Sequence, residues 1–536
     1  MKIFTFDETL RDGMQGEGIS FSVDDKLLIT QKLDELGIDY IEGGWPGSNP
    51  KDKEFFIRAR DLTLEHARLT AFGSTRLAKN TVHEDRNVLA LVEAGTPVVS
   101  IFGKTWDLHV RRALGISLEK NLTLISETVL YLKNHGKEVV YDAEHFFDGY
   151  TANPEYALLT LEAAKHSGAD VLCLCDTNGG TLTRRLEEIV SQVRGRFDGV
   201  IGIHTHNDSD VAVANTLAAI DAGATLVQGC MNGYGERCGN ANLASIIADL
   251  ELKMGHTTIG REQLTRLSSV CRFIAETANV ALPADQPFVG QSAFAHKGGI
   301  HVSAVLKDPA TYEHVVPDVV GNSRRVLMSD LAGRANVVHK LKQYGLGDSL
   351  DDDACRSLLE RIKQMEYEGY DLEAAEGTFE LLVRGVVHPE LHFFDVDRYE
   401  VSISAHGNDP LHTTATVALV AQGGAHSATA SGHGPLNALH RCLRTCLAKP
   451  YPQIKDVRLT DYKVRLIDAR RGTAAKVRVL MEWFDSHQRW STVGISDNVV
   501  EASWNALLDS VRLELMRLAE SGSFIDTPLK TKARIY

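Results

Sequence analysis

"ADVLCLCDTNGGTLTRRLEEIVSQVRGRFDGVIGIHTHND", residues 169–208, holds two apolar runs on either side of a helix-like segment. The runs lie at 169–180 and 199–208, and each ends in polar or glycine residues. Between them, the segment at 181–195 has apolar positions three and four residues apart, as an amphipathic helix does. Near-continuous apolar strands are typical of parallel sheets that are covered on the outer face. The stretch therefore predicts one strand–helix–strand unit of a parallel sheet.

The same unit recurs along the first half of the chain. Eight apolar runs are each followed by a helix-like segment, and they lie at 2–13, 38–47, 68–75, 96–107, 138–149, 169–180, 199–208 and 224–236. Eight such units in about 250 residues are typical of a closed (β/α)8 TIM barrel. An open, doubly wound α/β sheet is the alternative, because the number of strands alone does not prove that the barrel closes.

Beyond the predicted barrel the pattern changes twice. Residues 284–345 are glycine-rich and irregular, and 350–372 have helical spacing, which predicts a helical connector. Further on, strand-like runs lead twice into a glycine and a helix, at 429–447 and 491–511, which predicts an internally duplicated α+β domain. We therefore expect a catalytic barrel over 1–283, a connector and lid over 284–392, and a regulatory, dimerising domain over 393–536.

The composition of the chain argues against some partners. The 536 residues carry a net charge of −14, which does not suit nucleic acid or an anionic membrane surface as the main partner. The N-terminus lacks the pattern of a signal peptide, and no stretch is apolar enough to span a membrane. Eight scattered cysteines are interpreted as reduced and packed, as in a cytoplasmic protein. Cys442 and Cys446 are expected to pack in the core rather than to bind metal.

Polar residues at the ends of the predicted strands are the candidates for chemistry, because a TIM barrel works at the carboxyl ends of its strands. His204 and His206 end the seventh run and, two residues apart on a strand, face the same side. Arg11 and Asp12 follow the first run. Two imidazoles and a carboxylate suit a divalent metal. Such an ion would polarise the ketone of a 2-oxo acid, while Arg11 would stabilise the developing negative charge.

Each of these motifs also has a purely structural interpretation. The two histidines are compatible with a polar loop, and DETLRDG (7–13) with a capping and salt-bridge turn. GYGERCGN (233–240) is compatible with a tight turn that glycine permits, containing a Glu236–Arg237 ion pair. Three further residues are interpreted, when taken singly, as a solvated acid, a loop histidine and a packing aromatic: Glu144, His301 and Tyr312.

Together, DETLRDGMQ (7–15), HTHND (204–208) and NGYGERCGN (232–240) resemble one family, the barrel metalloenzymes that run Claisen-type or aldol chemistry on 2-oxo acids. This family includes the isopropylmalate, homocitrate and citramalate synthases. The three motifs in this order, at the ends of strands 1, 7 and 8, are highly specific, and the resemblance extends through the connector and the C-terminal domain. Residues 16–52 and 102–110 are most similar to the citramalate synthase branch.

The resemblance implies one divalent metal ion, Zn, Mn or Mg, with acetyl-CoA as co-substrate. It implies a set of four metal ligands: Asp12, His204, His206 and Asn240. Arg11 and Asp12 would also bind the keto acid, Arg11 at its ketone oxygen, and Thr177 would hold the substrate carboxylate.

The resemblance also implies residues that act on the acetyl group. Glu144 would lie near that group, and His301 of the connector would take part in proton abstraction. Tyr312 falls near a tyrosine position of the family. Glu8 is a departure, because many members have threonine there.

The implied reaction joins acetyl-CoA, pyruvate and water into (R)-citramalate and CoA, on a pyruvate route to isoleucine through 2-oxobutanoate. The nearest alternative is 2-isopropylmalate synthesis from 2-oxoisovalerate, in leucine biosynthesis. A second alternative is a metal-dependent hydrolase, although such barrels often carry His-x-His on strand 1, whereas here it lies on strand 7. A third hypothesis is that the C-terminal domain acts as an amino-acid sensor. The resemblance implies feedback by isoleucine, with leucine as runner-up, and a homodimer whose connector covers the partner's barrel.

Overall fold

The computed structural model describes residues 1–347, 349–405, 407, 410–452, 454, 457–467, 469–485 and 488–522. The chain divides into two compact units. The first consists of Met1–Phe294 with His314–Arg324, and the second of Ala295–Glu313 with Arg325–Tyr536. The predicted connector therefore contributes residues to both units.

The first unit contains a closed barrel of eight parallel strands that pair in sequence order. They are Phe4–Asp7 (β1), Tyr40–Gly44 (β2), Arg68–Ser74 (β3), Val98–Lys104 (β4), Glu138–Glu144 (β5), Val171–Asp176 (β6), Val200–Thr205 (β7) and Leu226–Gly229 (β8). β1 pairs with both β2 and β8, so the sheet has no free edge. The predicted TIM barrel is confirmed, and the open sheet is excluded.

Helices alternate with the strands and cover the barrel. They are Val23–Leu36 (α1), Pro50–Ala59 (α2), Arg86–Glu93 (α3), Asp107–His109 (α4), Leu118–Asn134 (α5), Phe146–Ala152 (α6), Pro154–His166 (α7), Thr183–Arg196 (α8), Ala212–Asp221 (α9), Leu243–Leu252 (α10), Arg261–Leu264 (α11) and Leu267–Thr277 (α12). The start of α1 shows how the sequence fixes these ends. Ser22 and Asp25 cap each other's backbone N–H groups, which α1 itself leaves without partners.

The side chains inside the barrel change from apolar to polar along the strands. Six of the strands contribute residues to an apolar cluster of their own, which includes Tyr40, Val98, Val140 and Leu226. Two positions further on, and therefore on the same face of each strand, lie four buried polar residues: Glu42, Ser100, Asp142 and Gln228. The Asp142 carboxylate accepts hydrogen bonds from Ser100 Oγ and Gln228 Nε2. A polar layer is thus built into the interior at the carboxyl ends of the strands.

The second unit begins with short elements and then repeats one pattern. Its elements are Ala295–His296 (β9), Gly299–Val305 (α13), Arg325–Val326 (β10), Arg334–Gln343 (α14), Asp352–Glu368 (α15), Glu376–Val387 (α16), Phe394–Ser404 (β11), His412–Ala421 (β12), Gly424–Gly432 (β13), Pro435–Leu447 (α17), Arg458–Leu466 (β14), Val477–Phe484 (β15), Arg489–Ser496 (β16) and Val499–Glu520 (α18). Two antiparallel three-stranded sheets, β11–β13 and β14–β16, are each followed by a helix. The predicted duplication is confirmed.

Most cysteines pack as predicted. Cys442 and Cys446 are buried in the core of the second unit, where their thiols face the carbonyl oxygens of Ala415 and Val417. Cys238 differs from the prediction, because it lies exposed in the loop after β8. Among the described residues, no helix combines the length and the apolar character needed to cross a membrane.

The two halves of the duplicated domain share a close approach between a strand glycine and the following helix. An added Cβ on Gly494 of β16 would overlap the carbonyl oxygen of Ala502 in α18. An added Cβ on Gly432 of β13 would lie 2.6 Å from the backbone nitrogen of Ala438 in α17. Glycine is required at both positions because the helix backbone packs directly on the strand.

We expect Gly494→Ala to destabilise the second unit by about 1–3 kcal/mol, since the new methyl group must displace α18. The matched control is Gly385→Ala in α16, where an added Cβ meets open space. That variant should be neutral or stabilising, because alanine favours a helix. Differential scanning calorimetry of the full chain measures both effects. Equal melting temperatures for the two variants would contradict the packing argument.

Candidate active site

Three of the predicted metal ligands lie together at the carboxyl end of the barrel. Asp12 follows β1, His204 belongs to β7, and His206 comes directly after β7. One ligand atom from each side chain lies within 4.8 Å of the others. The three residues are 5%, 6% and 5% exposed. Three metal-ligating groups removed from water at one point form a candidate metal centre.

The spacing of the two imidazoles fits a shared ion. The Nε2 atoms of His204 and His206 are 3.1 Å apart. Two nitrogens that bind one ion at about 2.1 Å and at right angles are about 3.0 Å apart. His204 therefore presents Nε2, rather than Nδ1, to the position that His206 also faces.

Asn240 supplies the fourth group of the predicted set. His206 and Asn240 form an isolated β-bridge, and Asn240 Nδ2 donates to Asp12 Oδ1 at 2.9 Å. Asn240 Oδ1 is buried and has no hydrogen-bond partner within the described chain. An orphaned buried oxygen is explained when it faces a cation. Two imidazole nitrogens, a carboxylate and an amide oxygen thus fit a divalent metal ion.

The loop that carries Asn240 is built around glycine. Gly235 has φ 149°, in the region that favours glycine, and an added Cβ there would collide with Asn240 Nδ2. Arg237 pairs with both oxygens of Asp208, at 2.8 and 2.9 Å, and more loosely with Glu236, at 3.8 Å. The tight turn expected from GYGERCGN is therefore present, and it brings Asn240 to the other candidate ligands.

Arg11 is held among three carboxylates beside the candidate metal centre. Its guanidinium nitrogens lie 2.5 Å from Glu42, 2.6 Å from Asp12 and 2.9 Å from Glu8. The guanidinium carbon is 3.8 Å from the centre of the Phe72 ring. Burial lowers the pKa of Arg11, but the three carboxylates outweigh burial and raise it further above its ordinary value. Arg11 is therefore a permanent, fixed cation.

The charges around the site set the protonation of the candidate ligands. Burial raises the pKa of Asp12, but Arg11 and the two histidines outweigh it and hold that pKa well below its ordinary value. Burial and the charge of His204 lower the pKa of His206 to about 3. At neutral pH, Asp12 is thus a carboxylate and His206 a neutral imidazole, which are the forms that bind metals. Burial lowers the pKa of His204, but Glu8 outweighs burial and raises it to about 10, so this ring must release a proton when it binds a metal.

Two acidic residues of the site were not predicted to belong to it. Glu42 lies within β2 and is fully buried, and its Oε1 has no hydrogen-bond partner in the described part of the chain. An acid inside the apolar run IDYIEGG was the signal that would have identified it. Glu8 was noted only as a departure beside the motif, yet it is fully buried and contacts both Arg11 and His204.

Glu144 and Thr177 lie at the same rim of the barrel. Glu144 ends β5 and pairs with Lys104, which ends β4. Thr177 follows β6, and its Oγ1 accepts a hydrogen bond from the backbone N–H of His145 at 2.9 Å. In the described chain neither side chain hydrogen-bonds to the candidate metal ligands, so their substrate contacts stay predictions.

His301 and Tyr312 belong to the second unit. His301 lies in α13, and its ring stacks on that of Tyr312 with the ring centres 4.3 Å apart. The pair of rings is a local feature of residues 295–313. The role of His301 in proton abstraction and the match of Tyr312 to a tyrosine position of the family stay predictions.

Comparison with known proteins identifies the family to which the chain belongs. The HMGL-like family model matches residues 2–271. The (R)-citramalate synthase of Aquifex aeolicus is 53% identical over 97% of this chain and 99% of that protein. The chain belongs to the (R)-citramalate synthase branch of the HMGL-like family. The (R)-citramalate synthase of Geobacter sulfurreducens is 51% identical over 96% of this chain and 98% of that protein.

Further matches cover the rest of the chain. A homocitrate synthase post-HMGL domain-like model matches 288–369, and a LeuA allosteric (dimerisation) domain model matches 373–514. A probable 2-isopropylmalate synthase of Methanopyrus kandleri is 31% identical over 95% of this chain and 98% of that protein. The family depends on a divalent metal, and this chain carries residues suited to binding one. The LeuA model indicates dimerisation and allosteric regulation.

We expect His204→Ala and Asp12→Ala to lose the bound metal while the barrel stays folded, because each removes one of a few ligands. After dialysis, the metal content of each variant should fall to about a tenth of wild type or less, by analogy with the 10–100-fold losses from supporting residues alone. His83→Ala is the control, since His83 contacts the ring of Tyr131 away from the centre. Wild-type metal content in the two ligand variants would overturn the assignment.

Proposed function

We propose that this chain is a metal-dependent acyltransferase that converts acetyl-CoA, pyruvate and water to (R)-citramalate and CoA. The observation that carries the proposal is the buried cluster of Asp12, His204 and His206 beside Arg11, in a chain that resembles (R)-citramalate synthases over almost its whole length. The first step of a pyruvate route to isoleucine, through 2-oxobutanoate, is the pathway that such a reaction serves.

The residues at the rim of the barrel would contact the ketone and the carboxylate of the keto acid. The divalent ion, held by Asp12, His204, His206 and Asn240, would act as a Lewis acid on the ketone of pyruvate. Arg11 keeps its positive charge at every working pH and would stabilise the negative charge that develops on the ketone oxygen. Thr177 would hold the pyruvate carboxylate through its hydroxyl group.

The acetyl group requires a base and protection from water. A base removes a methyl proton of the thioester, the resulting enolate carbon attacks the keto carbon of pyruvate, and water then cleaves the thioester to release CoA. We assign the proton transfer to His301, with Glu144 placed near the acetyl group and Tyr312 beside His301. Water must stay out until the carbon–carbon bond has formed, so the connector would close over the barrel of the partner in a homodimer.

The keto acid decides between the proposed reaction and its nearest rival. We expect kcat/KM to be higher with pyruvate than with 2-oxoisovalerate by about tenfold or more, because a pocket shaped for a methyl group rejects an isopropyl group. A panel of keto acids, with detection of the CoA thiol and with and without a chelator, measures this. A preference for 2-oxoisovalerate would indicate 2-isopropylmalate synthesis. Thiol release without any keto acid would indicate a hydrolase.

The allosteric domain is proposed to bind isoleucine, with leucine as runner-up. Isoleucine should lower the rate of citramalate formation and raise the melting temperature, because a ligand that binds only the folded state stabilises it. The enantiomer D-isoleucine is the matched control, since it has the same composition and charge. If neither isoleucine nor leucine changes the activity or the melting temperature, the proposed effector site is wrong.

A further inference from the structure

Glu8 is a charged residue in a place where an unpaired charge would be costly. It follows β1 directly and is fully buried, and its backbone N–H donates to Gly229 O of β8 at 2.9 Å. A buried carboxylate is tolerated only where partners replace the water it has lost. Glu8 has a partner on each oxygen: Oε2 lies 2.7 Å from His204 Nδ1, and Oε1 lies 2.9 Å from Arg11 Nη2.

The contact with His204 decides which nitrogen of that ring is available. A carboxylate oxygen 2.7 Å from Nδ1 requires that Nδ1 carries the hydrogen. When the ring binds a metal it keeps this hydrogen, and its lone pair lies on Nε2, which is the nitrogen that faces His206. Metal-bound histidines commonly donate their other N–H in this way, and the acceptor fixes the ring and makes it a stronger ligand.

The two histidines of the centre differ in this respect. His206 Nδ1 is buried and has no hydrogen-bond partner among the described residues. Only His204 is therefore anchored from behind by a carboxylate, and the same carboxylate also holds Arg11. Glu8 thus joins one candidate metal ligand to the cation beside the substrate position.

We propose that Glu8 is a positioning residue that fixes His204 for metal binding and aligns Arg11 with the metal centre. This inference rests on the proposed metal site, and it adds Glu8 to the residues that would build that site. Because Glu8 acts through His204, its loss should weaken metal binding itself and not only turnover.

The test is the affinity of the full chain for Mn²⁺ and Zn²⁺, measured by competition with a chromophoric chelator. Glu8→Gln keeps the length of the side chain but removes its charge, and it should raise the metal Kd about 10–100-fold. Asp7→Asn is the matched control. Asp7 is the adjacent buried acid, and its oxygens accept from the backbone N–H and hydroxyl of Thr9 rather than from a candidate ligand. The control should bind metal as the wild type does.

Two outcomes would overturn the inference: a metal Kd for Glu8→Gln within twofold of wild type, or an equal loss in Asp7→Asn. Should Glu8→Gln not fold, as judged by circular dichroism, Glu8→Asp replaces it. That variant keeps the charge but shortens the side chain, and it should weaken binding about tenfold. The measurement does not use turnover. If metal affinity depends on Glu8 but the chain does not use pyruvate, the proposed reaction is refuted and this inference stands.

Discussion

The pairing of β1 with β8 is the constraint on which the site depends. Phe4–Asp7 aligns with Leu226–Gly229 along the whole length of both strands. This closure brings the turn after β1 next to the end of β7 and to the loop after β8. Asp12 and Asn240 are 228 positions apart in the chain, yet they are joined by a hydrogen bond. A sheet left open at this edge would keep the same strands and separate the candidate metal ligands.

The closed barrel also brings charged side chains together in a space removed from water, where only opposite charges can balance them. Glu8, Asp12 and Glu42 surround the single guanidinium of Arg11 in a space removed from water. Burial and the neighbouring carboxylates raise the pKa of Glu42 well above its ordinary value, and Arg11 opposes only part of this effect. A divalent cation beside Asp12 would offset the negative charge that Arg11 leaves unbalanced. The acids that hold Arg11 therefore also favour a metal at this position.

The sequence predicted the barrel, the duplication and the convergence of the candidate ligands, because each leaves a local pattern. The period of the apolar runs revealed parallel strands, and His204 and His206 share one face by spacing alone. The contacts of Glu8 and Glu42 could not be predicted from spacing. Spacing tells which side of a strand a residue faces, but the partner of a buried charge depends on which strands meet after closure. Cys238 was misjudged for a similar reason, since composition does not show which loop residues stay exposed.

The unequal support of the two histidines has a consequence for metal choice. His204 is fixed by an acid, whereas His206 Nδ1 has no hydrogen-bond partner in the described structure. Ions of different radius require slightly different ligand directions, and a ring without an acceptor at Nδ1 is freer to tilt. A centre with one fixed and one freer histidine would accept divalent ions of more than one radius.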